Sequence, residues 1–361
     1  MKLTYPQPRN NNSRCKTAAL YIIFLFLLVG LVGCESDTTI SGKMIVHFID
    51  VGQGDAILIQ APSQTILVDG GERGTTVIDY LKKHGVTKLD MVIGTHPHAD
   101  HIGGLINVLQ SIPVSEVIDP GVVHTTQTYE DYLLLIDEKD IIFTEGRAGM
   151  SRNLGGGATM KLLHPSSPTG TDVNEVSVVV KLTFGQVSFM LTGDAEEATE
   201  KQILNAGYNV ASTILKVGHH GSHTSTSTAF FSAVSPEVAV IMVGANSYGH
   251  PHEETLAKLT NAGVTIYRSD LHGSIVITTD GEHYEVNSKE TYQYLPIKKP
   301  ANTSTTTQGE YVGSIKSDKY HNLTCIHIKS ISPENEISFE TVLEARNKNY
   351  QPCGGCKPPA N

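Results

Sequence analysis

Three histidines and one aspartate fall within six residues in the segment Thr95-His96-Pro97-His98-Ala99-Asp100-His101, directly after an apolar run that reads as a buried strand. No structural task needs that density of imidazole. Neutral ring nitrogens beside a carboxylate are ligands suited to Zn²⁺ or Mn²⁺. In an extended loop alternate side chains point the same way, so His96 and His98 can serve one ion together. Asp100 and His101, entering the helix that follows, can turn toward a second. Another ligand set stands near the C-terminus, where His321 and Cys325 are followed by Cys353 and Cys356. These are four ligands of tetrahedral type in a segment too small to fold on an apolar core alone. A structural zinc is expected there, with His327 as an alternative to His321. A disulfide between two of the three cysteines is the rival arrangement.

The first cluster needs a strand-to-helix loop to carry it, and the chain supplies the surrounding elements. From Met44 the runs MIVHFID, AILIQ and TILVD read as strands, and TTVIDYLKKHG as an amphipathic helix closed by Gly85. LDMVIGTH, MKLLH, VSVVVKL, VSFMLTGD, STILKVG, EVAVIMVG and SIVITTD are further strands, rich in Val and Ile. Helices are expected after Asp100, Asp194 and His252. Many short strands with few helices between them predict an α+β fold of two packed sheets covered by helices. The apolar rhythm is lost after Glu285, and Pro296 to Gln308 reads as a polar, Thr-rich linker.

His96-x-His98-x-Asp100-His101 resembles the H-x-H-x-D-H signature of the metallo-β-lactamase-fold hydrolases, which are αββα sandwiches holding two divalent ions. The resemblance implies that Asp69, ending Ile66-Leu67-Val68-Asp69-Gly70-Gly71, supports the metal loop without being a ligand. By itself Asp69 is equally a turn residue before two glycines. Asp194, ending Leu191-Thr192-Gly193-Asp194, is implied as the ligand bridging both ions; by itself it could cap a helix over Ala195–Leu204. One histidine of Gly218-His219-His220-Gly221-Ser222 completes the second ion, and analogy favours His220 over His219. The chain departs from the family in lacking a third histidine ahead of Asp194. Asn174 stands near its place and His164 is the other nearby option, so the first ion is left with His96, His98, Asp194 and a weak or open fourth position.

Phe48-Ile49-Asp50-Val51-Gly52-Gln53-Gly54-Asp55-Ala56, the His-His-Gly-Ser step and Asn246-Ser247-Tyr248-Gly249-His250-Pro251-His252 narrow the resemblance. Over residues 44–285 they are similar to the extracellular hydrolase domain of the ComEC-type DNA-uptake proteins. That implies a nuclease or phosphodiesterase acting on DNA or another phosphodiester. Two divalent cations about 3.5–4 Å apart acidify a shared water and neutralise phosphodiester oxygens. Asp194 and Asp100 are the carboxylates expected to serve that chemistry. His250 would hydrogen-bond the developing oxyanion or protonate the leaving group, although His250 and His252 also suit a helix start. Asp55 is either a turn former or a residue lining the site. Hydrolysis of another phosphoester, such as a cell-envelope phosphocholine, and a metal-holding binding protein without turnover are the alternatives.

The 361 residues carry 27 basic and 37 acidic side chains, a net charge of −10 that argues against a broad basic face for gripping nucleic acid. Residues 1–33 hold four of those basic residues, no acidic one, and an apolar run from Ala18 to Val32. That run is short for a spanning helix and suits a secretory signal. Leu31-Val32-Gly33-Cys34 resembles a bacterial lipobox, implying acylation of Cys34 and a chain anchored in the membrane on its extracytoplasmic face. An uncleaved signal anchor is the simpler alternative, with the same outward location. The expected order is a signal peptide at 1–33, a tether at 34–43, the hydrolase domain at 44–285, a linker at 286–310 and the zinc-binding module at 311–358. With Asn349-Tyr350-Gln351-Pro352-Cys353 this last segment resembles the zinc module of the alkylation-repair protein Ada. His321 stands where that module has its methyl-accepting cysteine, which implies a closed structural zinc and no methyl transfer. Binding of DNA by the module is a further expectation.

Overall fold

The computed structural model describes residues 42–167, 172–288, 311–339, 341–348 and 350–358. They form two compact units that divide between Leu295 and Pro296. The expected signal peptide, Cys34, nearly all of the tether and most of the linker lie outside the described residues. Among the described residues, no helix is long and apolar enough to cross a membrane.

The larger unit opens with β1 (Met44–Phe48), β2 (Ile57–Gln60), β3 (Thr65–Val68), α1 (Thr76–Lys83), β4 (Leu89–Ile93) and α2 (Ala99–Ser111). It continues with β5 (Val114–Asp119), α3 (Gln127–Glu138), β6 (Ile142–Glu145), β7 (Ser151–Gly155), β8 (Ala158–His164) and β9 (Val179–Phe184). Then come β10 (Val187–Leu191), α4 (Glu197–Asn205), β11 (Ile214–Lys216), α5 (Thr228–Val234), β12 (Val238–Ile241) and α6 (Glu253–Asn261). β13 (Thr265–Arg268), α7 (Ser269–His272), β14 (Ile275–Thr279) and β15 (Tyr284–Asn287) close it. One sheet has the order β15-β14-β1-β2-β3-β4-β5-β6, the other β13-β12-β11-β10-β9-β8-β7.

The two-residue period of the strands builds the layers. Ile57, Ile59, Ile66 and Val68 point between the sheets, where they meet Phe189, Val238 and Val240. Leu58 and Leu67 point the other way, onto Val77, Leu81, Leu105 and Tyr132 of α1, α2 and α3. Leu215, Ala239 and Ile241 likewise face Ile203, Phe230 and Leu259 of α4, α5 and α6. The result is the expected αββα sandwich. β5, β6, β7, β13, β15, α3, α5 and α7 are not anticipated in the sequence reading. β6 exposes Ile142 and Phe143, and β7 buries only Leu154.

One close approach fixes α2. A Cβ on Gly104 would lie 1.9 Å from the Gly70 carbonyl oxygen, and one on Gly70 would lie 2.6 Å from the Leu105 nitrogen. Only glycines let this helix touch the turn after β3 backbone to backbone.

In the smaller unit β16 (Tyr311–Ser314), β17 (Lys319–Asn322), β18 (Glu336–Phe339), α8 (Val342–Asn347) and β19 (Gln351–Pro352) form a sheet of order β18-β16-β17-β19 with one helix. Its buried apolar cluster is Tyr320, Phe339 and Ala345, with Tyr311, Ile337, Val342 and Tyr350 against it. That is little for an independent fold. His321, Cys325, Cys353 and Cys356 bring one ligand atom each to within 4.8 Å of one another, and the three thiols are free rather than disulfide-bonded. The donor set fits tetrahedral zinc. Chelating zinc, or Cys353→Ser, is therefore expected to unfold residues 311–358 and leave the sandwich intact. Hydrogen exchange resolved by segment checks this; protection of β16–β19 that survives chelation would contradict it.

Candidate metal centre

The strands deliver the site at one end of the sandwich. β3 ends at Val68, and Asp69 directly after it has a left-handed backbone (φ 58°) that turns the carboxylate back toward the loop after β4. Asp69 Oδ1 accepts the Thr95 amide at 2.8 Å, and Oδ2 accepts the Thr95 hydroxyl at 2.7 Å and lies 2.8 Å from His101 Nδ1. With Nδ1–H committed to Asp69, His101 presents Nε2 to the site. His220 is set the same way, its Nδ1 donating to the Met242 carbonyl at 2.9 Å. Both His219 (φ 47°) and His220 (φ 54°) are held in the left-handed region, a strained conformation for side chains of this kind.

The expected ligands converge on Asp194. Its Oδ2 lies 3.3 Å from His101 Nε2, 3.3 Å from His220 Nε2 and 3.9 Å from His96 Nε2. Asp100 Oδ2 is 3.3 Å from His220 Nε2 and 4.0 Å from His101 Nε2. His98 Nδ1 lies 3.0 Å from His96 Nε2. His219 is the more exposed of the pair; its Nε2 is 3.8 Å from Asp194 Oδ2 and its Nδ1 contacts Glu196 at 3.0 Å. Buried His101 Nε2, His220 Nε2 and Asp194 Oδ1 have no hydrogen-bond partner. Unpartnered imidazole nitrogens facing a carboxylate in a dry site fit a divalent cation between them. Asp100, His101, Asp194 and His220 offer four donors for one ion; His96, His98 and Asp194 offer three for the other.

The charges agree. Burial alone would push Asp194 upward, but His220 and His101 hold its carboxyl well below the usual range. His101 and His220 are in turn raised well above the ordinary imidazole value by Asp194, against the cost of their burial.

Several residues sit elsewhere than the sequence implied. From the segment before Asp194 it is Ser177 that reaches the site, accepting the Asp194 amide at 3.3 Å and lying 3.5 Å from His96 Nδ1. Asn174 opens a short 3₁₀ turn, its buried Oδ1 has no hydrogen-bond partner, and it is not among the residues lining the cavity. His164 contacts the Ser177 carbonyl at 3.0 Å, a packing role. The helix after Asp194 begins only at Glu197, so Asp194 is not its cap. His252 is the residue preceding α6 and accepts the His223 amide at 3.0 Å. His250 is lowered to about 4 by burial and the neighbouring histidines, so at neutral pH it is an uncharged donor rather than an imidazolium acid.

Lys216 escaped the sequence reading. Alternation along β11 sends Ile214 inward, Leu215 outward and Lys216 inward, so the ammonium enters the inter-sheet space behind the ligands. It is fully buried, 2.5 Å from Asp55 Oδ2, 2.8 Å from the Gly193 carbonyl and 3.7 Å from Asp194 Oδ1. Asp55 also lies 3.5 Å from His220 Nδ1, which makes it part of the site's support. The signal available in the sequence was a lysine inside an otherwise apolar strand.

The expected ligands open onto a cavity of about 570 Å³ lined by Gln53, Glu72, His98, Asn246, Tyr248 and His250 among others, with no Lys or Arg among the described lining residues.

Comparison with known proteins follows the same lines. Residues 49–245 match the Metallo-beta-lactamase superfamily profile. The chain is 29% identical over 277 residues to ComE operon protein 3 of Bacillus subtilis, covering 70% of this chain and 34% of that protein. It is 29% identical over 283 residues to competence protein ComA of Neisseria gonorrhoeae, covering 76% and 38% respectively. The chain thus spans little more than a third of these relatives. Among solved structures, Igni18, a metallo hydrolase from Ignicoccus hospitalis, superposes with a TM-score of 0.45 at 18% identity, covering 65% of this chain and 98% of that one.

Two outcomes follow from this geometry. Metal uptake must displace the protons on His101 and His220, so divalent affinity is expected to fall as pH is lowered and binding to release protons. Titration calorimetry in two buffers of different ionisation enthalpy checks this; heats independent of buffer would contradict it. Lys216→Met leaves the buried Asp55 carboxylate uncompensated and is expected to cost about 3–5 kcal/mol of stability, read by urea unfolding.

Proposed function

Because this chain belongs to the metallo-β-lactamase superfamily, we propose that it is a dinuclear metal-dependent phosphodiesterase acting on DNA. The observation that carries the reading is the convergence of His96, His101 and His220 on Asp194 Oδ2 beside an open cavity whose described lining holds no Lys or Arg. Divalent ions there, Zn²⁺ or Mn²⁺, supply the Lewis acidity that makes water nucleophilic near neutral pH and offsets phosphate charge. The protein's own residues do the rest. Asp194 Oδ2 is shared between the two donor sets, while Lys216 lies toward its other oxygen. Asp69 keeps His101 in the tautomer that presents Nε2. Uncharged His250 at the cavity wall is an N–H donor for a phosphoryl oxygen. The competence names of the relatives support DNA as the phosphodiester.

The location belongs to the same reading: acylation at Cys34 would tether the enzyme outside the cytoplasmic membrane, and DNA or an envelope phosphoester would reach it there. The zinc-binding module is proposed as a stabilising C-terminal unit.

The test is metal analysis together with assays on DNA and bis-p-nitrophenyl phosphate, for the protein and its His98→Ala and Asp194→Asn variants. Both substitutions are expected to lower turnover by at least ~100-fold, the scale of losing a positioned catalytic group. Wild-type rates in both variants would refute the dinuclear mechanism. Cleavage of small esters alone would transfer the substrate to another phosphoester, and metal without turnover would make this a binding protein.

A further inference from the structure

Tyr248 is the most exposed Tyr or Phe among the described residues, at 69%, and it lines the cavity onto which the expected ligands open. Its loop is tied down. The Asn246 side chain donates to the Gly244 and His250 carbonyls, both at 2.9 Å, and accepts the amides of Tyr248 at 3.0 Å and His250 at 3.1 Å. The ring therefore stands on a fixed backbone, 5.7 Å from the His250 ring and inclined to it by 31°.

Among the described residues the cavity lining holds no Lys or Arg, and Glu72 adds a negative group. A basic track is therefore not part of this described lining. Ions can neutralise the scissile phosphate only, which leaves the nucleotide beside it to be gripped by something uncharged. Aromatic rings do this for bases, because every base has a π face.

We propose that Tyr248 is the platform on which the base next to the scissile phosphate stacks, so that the enzyme takes nucleic acid unpaired at that nucleotide. Inside a duplex both faces of the base are covered by its neighbours, and no face is left for Tyr248. The inference rests on the phosphodiesterase reading of this site and names its substrate class more closely.

The experiment uses the full chain with Mn²⁺ and a single-stranded oligonucleotide, intact or with one abasic position stepped along it, against wild type, Tyr248→Ala and Tyr248→Phe. Tyr248→Ala is expected to raise KM for the intact strand roughly tenfold, with Tyr248→Phe close to wild type. One abasic position should impose the same loss on wild type and none on Tyr248→Ala, the signature of a shared contact in a double-mutant cycle. A 2-aminopurine at that position should be quenched on binding by wild type and not by Tyr248→Ala, a readout independent of cleavage. Oligonucleotide cleavage with unchanged KM and quenching in Tyr248→Ala overturns the stacking role alone. Wild type that neither binds nor cleaves the strand overturns both this role and the phosphodiesterase reading.

Discussion

The Asp69 carboxylate holds the centre together. One side chain accepts the Thr95 amide and hydroxyl and engages His101, and so joins the end of β3, the loop after β4 and the first turn of α2. It can do so because glycines at 70 and 104 let α2 approach the β3 turn at backbone distance, and because Asp69 accepts a left-handed backbone. Four of the expected ligands follow from that junction. His96 and His98 lie on the loop whose start Asp69 anchors, and Asp100 and His101 on the helix that the glycines admit.

On the other sheet the problem is desolvation. Asp194, Asp55 and Lys216 are all buried where the sheets meet, and an isolated charge there would be prohibitive. The pairing resolves it. Burial opposes ionisation of Asp55, and the ammonium beside it brings its carboxyl below the ordinary value; Asp55 and Asp194 keep Lys216 charged in return. One consequence is geometric. Asp194 has a cation toward Oδ1 and imidazoles toward Oδ2, so the carboxylate has a defined orientation before any ion arrives.

The sandwich was legible because its central strands are two-faced and apolar, which a period of two reports directly. Its margins were not. β5, β6, β7 and β13 carry mixed residues, and their strand character comes from pairing with neighbours. The expected ligands from His96 to His101 were legible because they fall within six residues, whereas the choice between His219 and His220 depends on which ring's Nδ1 is taken by a main-chain carbonyl. Ser177 and Lys216 left only faint signals. Ser177 acts through the position of its hydroxyl against His96, and Lys216 was a single charged residue within the apolar run STILKVG, turned inward by the alternation along β11.

The paired left-handed residues His219 and His220 carry a thermodynamic meaning. Each is held in a conformation that side chains of its kind disfavour by about 1–2 kcal/mol. The fold therefore stores work at the place where an ion would bind. Ligands that bind the folded chain and not the unfolded one stabilise it in proportion to their supply. Scarcity of divalent metal would then shorten the lifetime of the molecule as well as slow its chemistry, and the surroundings would set how much of this protein persists.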